Sequence, residues 1–140
     1  MYLARRGSVI VMPPDHKPTI LVVDDVVMIA DTVAEILSRF GYHALKAYDA
    51  ESALEIALKT RPTLLLTDVM LPRMNGVGLA IKILEQQPDC KIVLFSGQAG
   101  TTYFIDQAKA NGYHFDILSK PLHPRELLEH LEKRLADASR

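Results

Sequence analysis

Residues 64–76, which read Leu-Leu-Leu-Thr-Asp-Val-Met-Leu-Pro-Arg-Met-Asn-Gly, constrain this chain more than any other stretch. The apolar run Leu64, Leu65 and Leu66 is too short for a helix of its own and reads as a buried parallel strand. Asp68 stands where that run stops, and Pro72, Asn75 and Gly76 beyond it are turn formers. The carboxylate is therefore expected at the strand's carboxyl end, the edge at which open α/β sheets bind ligands. An aspartate there also has a plainer explanation as a cap or turn residue, which Asp68 alone would favour. Its company shifts the balance, because Asp24 and Asp25 follow one apolar run, Ser96 a second and Lys120 a third.

The rest of the chain alternates in the same way. Residues 19–23 (Thr-Ile-Leu-Val-Val) form a β-branched and aliphatic run typical of a strand covered on both faces. Ile29, Val33, Ile36, Leu37 and Phe40 then recur at helical spacing over residues 26–40, and Gly41 supplies a left-handed stop. A weaker strand follows at 43–47, and Asp49 is placed to cap a helix carrying Ala53, Leu54, Ala57 and Leu58 to about residue 60. Beyond the central strand, a helix over 77–87 stops before Pro88. A strand over 91–95, a helix over 102–110, a short strand over 116–119 and a last helix opened by Pro124 complete the pattern. Strands and helices in this alternation predict a flavodoxin-like, doubly wound, five-stranded parallel α/β sheet with five flanking helices. The strand order 2-1-3-4-5 makes the two carboxylate-bearing strands neighbours.

Residues 1–17 stand apart as an expected flexible extension to a domain over 18–140. Gly7, Pro13, Pro14 and Pro18 argue against a regular element there, and Met12 is a candidate start because the foldable pattern begins abruptly at Thr19. Arg5 and Arg6 before Val9, Ile10 and Val11 imitate a secretory leader, but Pro13 and Pro14 cut the apolar run short. No segment reaches transmembrane length, so a cytoplasmic location without membrane insertion is expected. The net charge of -1 gives no bulk attraction to nucleic acid or anionic lipid. The single cysteine, Cys90, rules out an internal disulfide and reads as packing, and the five histidines show no metal-ligand spacing.

Chemistry enters where the strand ends converge. Carboxylates about 5 Å apart repel by roughly 3 kcal/mol at an effective dielectric near 20. A hard divalent cation resolves that conflict for Asp24, Asp25 and Asp68, and carboxylate, carbonyl and water ligands suit Mg2+ best. With Lys120 opposite, the set describes a phosphoryl-transfer site, with Asp68 on the central strand as nucleophile and Ser96 as a hydroxyl donor. Each partner has a plainer reading, Asp25 as a helix cap, Ser96 as a turn residue and Lys120 as a solvated lysine. Together those readings require unrelated coincidences at one sheet edge.

The acidic pair Asp24-Asp25, the motif from Asp68 through Pro72 to Gly76, Ser96 and Lys120-Pro121 occur in the order and near the spacing of a receiver domain. The chain resembles a stand-alone, chemotaxis-regulator-like receiver of a two-component response regulator. That resemblance implies that Asp68 accepts a phosphoryl group from the phosphohistidine of a sensor histidine kinase or phosphotransfer protein. It further implies that Asp25, Asp68 and the main-chain carbonyl of Met70 ligate Mg2+, with Asp24 assisting through water, and that Ser96 and Lys120 contact the phosphoryl group. A cis Lys120-Pro121 peptide is also implied.

Where receivers carry an aromatic switch residue three positions before the lysine, this chain has Ile117, so Ser96 and Ile117 are the expected switch pair. The segment from Ser96 to Lys120 is slightly longer than usual, and Tyr113 or Phe115 is a candidate substitute. Met70 and Gln98 are placed to set the phosphate lifetime. The 20 residues after Lys120 hold one helix and no output domain, which implies action through a downstream protein or a phosphorelay. Three alternatives use the same fold. A nonphosphorylated interaction module would have lost the chemistry. An aspartyl-phosphate phosphatase, a true enzyme, would want an acid where Met70 stands. A flavin carrier would want a phosphate loop where Asp24-Asp25 would repel it.

Overall fold

The computed structural model describes residues 17–97, 101–121 and 123–136, together with the backbone of residues 4–6 and 9–11. In chain order the elements are β1 (Ala4–Arg6), β2 (Val9–Val11), β3 (Thr19–Val23), α1 (Val27–Arg39), β4 (His43–Ala47), α2 (Ala50–Thr60), β5 (Leu64–Asp68), α3 (Gly76–Gln86), β6 (Lys91–Ser96), α4 (Thr101–Ala110), β7 (Asp116–Ser119) and α5 (Pro124–Ala136). The sheet from β3 onward runs β4-β3-β5-β6-β7, which is 2-1-3-4-5 counted from Thr19, and every pairing in it is parallel.

Alternation along the strands builds two cores. Ile20, Val22, Leu64, Leu66, Val93 and Phe95 face α1 and α5, where Leu37, Leu127 and Leu131 complete the packing. Leu21, Val23, Leu65, Ile92 and Leu94 face α2, α3 and α4. All five residues of β5 are buried, as expected for a strand covered on both faces. Because both faces of the sheet are filled, its free carboxyl edge is the place left for polar chemistry.

Local signals account for most boundaries. The Asp49 carboxylate accepts the Ser52 N–H at 2.7 Å, and Gly41, at φ +95°, follows the Phe40 cap of α1. Asn75, read from sequence only as a turn former, caps α3 by accepting the Gly78 N–H at 2.9 Å. Two expected stripe positions are corrected. Phe40 is 64% exposed because the last buried residue of α1 is Leu37, and Leu58 is 48% exposed because α2 packs through Ala50, Ala53 and Ala57. The absence of a regular element before residue 17 is also corrected, since β1 and β2 pair antiparallel from Ala4↔Val11 to Arg6↔Val9. Pro13, Pro14 and Pro18 all lie beyond that ladder, which leaves the β-branched run of β2 free to pair. Met12 and Gln98 lie outside the described residues.

Candidate phosphoacceptor site

Asp24 follows the last residue of β3 and is fully buried. Its N–H donates to the Ala47 carbonyl at 3.2 Å, continuing the β3–β4 pairing and fixing the side chain at the sheet edge. Oδ1 accepts the Val26 N–H at 2.9 Å and Oδ2 accepts the Lys120 ammonium at 3.1 Å. Asp68 ends β5 and is 7% exposed. Its Oδ1 accepts the Met70 N–H at 3.2 Å and its Oδ2 accepts the same ammonium at 3.0 Å. The capping role that a lone Asp68 would suggest is thus present, in addition to the ion pair.

Asp25 is exposed, and the residue at the N-cap of α1 is Val26, with no side-chain cap. The helix-cap reading of Asp25 therefore fails. One carboxylate oxygen from each of Asp24, Asp25 and Asp68 lies within 4.8 Å of the others.

Lys120 is held from several sides. Its N–H donates to the Ser96 carbonyl at 3.0 Å, so it extends the β6–β7 register past Ser119. Its ammonium sits 4.9 Å from the centre of the Phe95 ring, a cation–π arrangement. Gly97 lets its stem pass, since a Cβ at that position would come within 2.9 Å of Lys120 Cβ and 3.1 Å of Cδ. The Lys120-Pro121 peptide is cis. Gly76 plays a matching part beneath Asp68, where a Cβ would lie 2.1 Å from the Asp68 carbonyl oxygen. Sequence reasoning missed Phe95 and Gly97, for which the only signal was adjacency to Ser96.

Burial pushes the Asp68 carboxyl above the ordinary carboxylate range, as does the neighbouring Asp24 charge, and the Lys120 hydrogen bond only partly offsets this. Burial also works against the Lys120 ammonium, but its bonds to Asp68 and Asp24 outweigh that and hold it above the usual lysine value. Three carboxylates facing one ammonium leave two negative charges uncompensated. Hard oxygen donors with that deficit fit a divalent cation such as Mg2+.

The remaining expected residues lie around this cluster. Met70 is 39% exposed in the loop after β5. Ser96 ends β6, and its hydroxyl meets that of Thr101 at 2.5 Å. Ile117 pairs with Leu94 in the register of β7 and is 39% exposed. Tyr113 and Phe115 stack on each other, with ring centres 5.9 Å apart, against the core beneath α2, α3 and α4. Cys90 is buried, which pushes its thiol up to about 11 and fits a packing role.

A sheet of this order, with acidic residues at the carboxyl ends of its first and third strands and a lysine after its fifth, defines a receiver. The model of the response regulator receiver domain matches residues 20–132, and the chain belongs to that family. It is 34% identical over 106 residues to the response regulator receiver protein CpdR of Brucella abortus (strain 2308), covering 76% of this chain and 87% of that protein. It is 28% identical over 115 residues to the chemotaxis protein CheY of Thermotoga maritima, covering 81% of this chain and 94% of that one. Among solved structures, the CheY-like receiver domain protein of Methanospirillum hungatei JF-1 superposes with a TM-score of 0.79 at 30% identity, covering 88% of this chain and 97% of that one. Receivers are signalling modules rather than classical enzymes. No helix among the described residues is long and apolar enough to cross a membrane.

Proposed function

We propose that this chain is a phosphoacceptor response regulator, in which Asp68 takes a phosphoryl group from the phosphohistidine of a sensor histidine kinase or phosphotransfer protein. The observation that carries this reading is the Lys120 ammonium bridging the buried Asp24 and Asp68 carboxylates, with the exposed Asp25 beside them. In the transfer, an Asp68 carboxylate oxygen forms the new O–P bond while the P–N bond to the donor imidazole breaks and the imidazole leaves with the electron pair. Asp25, Asp68 and the Met70 main-chain carbonyl would hold Mg2+, with Asp24 contributing through water. When bound, the cation would neutralise phosphoryl oxygens during transfer.

Lys120 supplies the fixed positive charge on the other side, and Ser96 supplies a hydroxyl donor. The product is a covalent phosphoprotein that loses its group to water, so the chain acts as a signalling component and not as a turnover enzyme. The added charge of about -1.5 to -2 at the sheet edge biases the chain between two packings that a downstream protein distinguishes. A near-complete shift of that kind requires roughly 5.5 kcal/mol of differential stabilisation. The folded receiver occupies 18–140 with residues 1–17 as an extension, and the setting is cytoplasmic, where histidine kinases present their phosphohistidine.

Intact-mass measurement after incubation with acetyl phosphate and Mg2+ tests the reading, beside Asp68→Ala and a Mg2+-free sample. The expected result is a single-phosphoryl increase confined to the wild type with Mg2+. No adduct on a folded protein that also fails to bind a phosphoryl mimic would replace this reading with a nonphosphorylated interaction module.

A further inference from the structure

Thr101 opens α4 and is 4% exposed. With Ile105 and Ala108 it makes the buried stripe of that helix, at the i, i+4, i+7 spacing ordinarily filled by apolar side chains. A hydroxyl buried on such a stripe is held by hydrogen bonds, and the Ser96 hydroxyl lies 2.5 Å away. This contact ties the carboxyl end of β6 to the first turn of α4.

A serine hydroxyl has one proton to donate, whereas phosphoryl oxygens accept hydrogen bonds. Either hydroxyl can be the donor in this contact, and where Ser96 donates, its one proton is committed to Thr101 rather than to a phosphoryl group on Asp68. From this competition we infer that Thr101 is a positioning residue, which holds Ser96 in its resting arrangement and makes the start of α4 respond when Ser96 turns to the phosphoryl group. The inference rests on phosphoryl acceptance at Asp68 and names the route by which that event reaches a helix. The same helix presents Tyr103, which is 61% exposed and packs edge-to-face on Phe104 at 5.5 Å. Nothing in the route requires an aromatic side chain at position 117, where the chain carries isoleucine.

The test uses the full chain with Mg2+ and beryllium fluoride as the phosphoryl mimic, comparing wild type, Thr101→Val, Thr101→Ser, Ser96→Ala and the Thr101→Val/Ser96→Ala double variant. Thr101→Val is expected to bind the mimic about 3- to 10-fold more tightly, the range set by one neutral hydrogen bond. Thr101→Ser keeps the hydroxyl and should match wild type, and the gain should vanish in the Ser96→Ala background. Amide exchange in α4 should change on mimic binding in the wild type and much less in a saturated Thr101→Val. Should Thr101→Val not fold, Thr101→Ala makes the same comparison. Unchanged or weaker affinity, or an equal gain without the Ser96 hydroxyl, overturns the role of Thr101 while leaving phosphoryl acceptance in place. A wild type that neither binds the mimic nor gains mass with acetyl phosphate overturns both.

Discussion

The carboxyl edge of the sheet has two halves that differ in how firmly they are held. At the ends of β3 and β5, Asp24 and Asp68 are buried, each accepts a backbone N–H, and both share one ammonium. Apart from the Lys120 ammonium, the rest of that edge is looser: Ser96 at the end of β6 is half-buried, Ile117 within β7 is exposed, and β7 forms the outer edge of the sheet with no fully buried residue. The first half fixes charges that cannot move without breaking several bonds. The second has fewer restraints, which suits elements that change packing while the chemistry stays in place.

The sharpest way to break this contrast is to disturb the support under Asp68. Gly76→Ala drives a Cβ into the Asp68 carbonyl oxygen, a backbone atom that cannot swing aside. A loss of about 3 kcal/mol in urea unfolding is expected, as for severe overpacking, together with slower phosphoryl uptake from acetyl phosphate. An intermediate effect is expected from Asp49→Ala, which removes the α2 cap without touching either half, at about 1 kcal/mol near neutral pH. The Ser52 N–H holds the Asp49 carboxyl below its ordinary value of 3.8. The folded state therefore favours the ionised form, so the stabilisation is complete above that value and fades as pH falls through the lowered one. Unfolding of wild type and Asp49→Ala measured from pH 7 into strong acid should converge. The smallest effect belongs to the looser half, where Ile117→Ala should cost about 0.5 kcal/mol and leave acetyl phosphate uptake unchanged. A loss of uptake in Ile117→Ala would show that the two halves are not separable.

Much of this was legible in the sequence because apolar runs and strand-end charges are local signals. The ends of β3, β5 and β7 carry Asp24, Asp68 and Lys120 at the limit of runs that could only be strands, and topology then brings them together. What stayed hidden depends on the far side of a contact. Asp24 and Asp25 are identical in sequence terms, yet one is buried against Lys120 and the other is exposed, a difference set by which carboxylate meets the β7 end. Phe95 beneath the ammonium and Gly97 beside its stem acquire meaning only once β6 and β7 are paired. Thr101 had a faint signal, a hydroxyl at helical spacing from Ile105 and Ala108, but its partner on β6 was not readable. Phe40 and Leu58 show the reverse, apolar residues whose helical spacing promised burial that the packing of Leu37 and of the α2 alanines made unnecessary.

The Lys120 ammonium contacts partners 96 and 52 residues earlier in the chain. A ribosome delivers the acidic strand ends before their counter-charge, so the bridged edge cannot be complete until residue 120 has been made. Only when β7 adds to β6 does the edge become electrically complete. On the proposed function, the site is whole only with the residue that follows the last strand, so a chain interrupted before residue 120 is expected to lack the ammonium that phosphoryl acceptance needs.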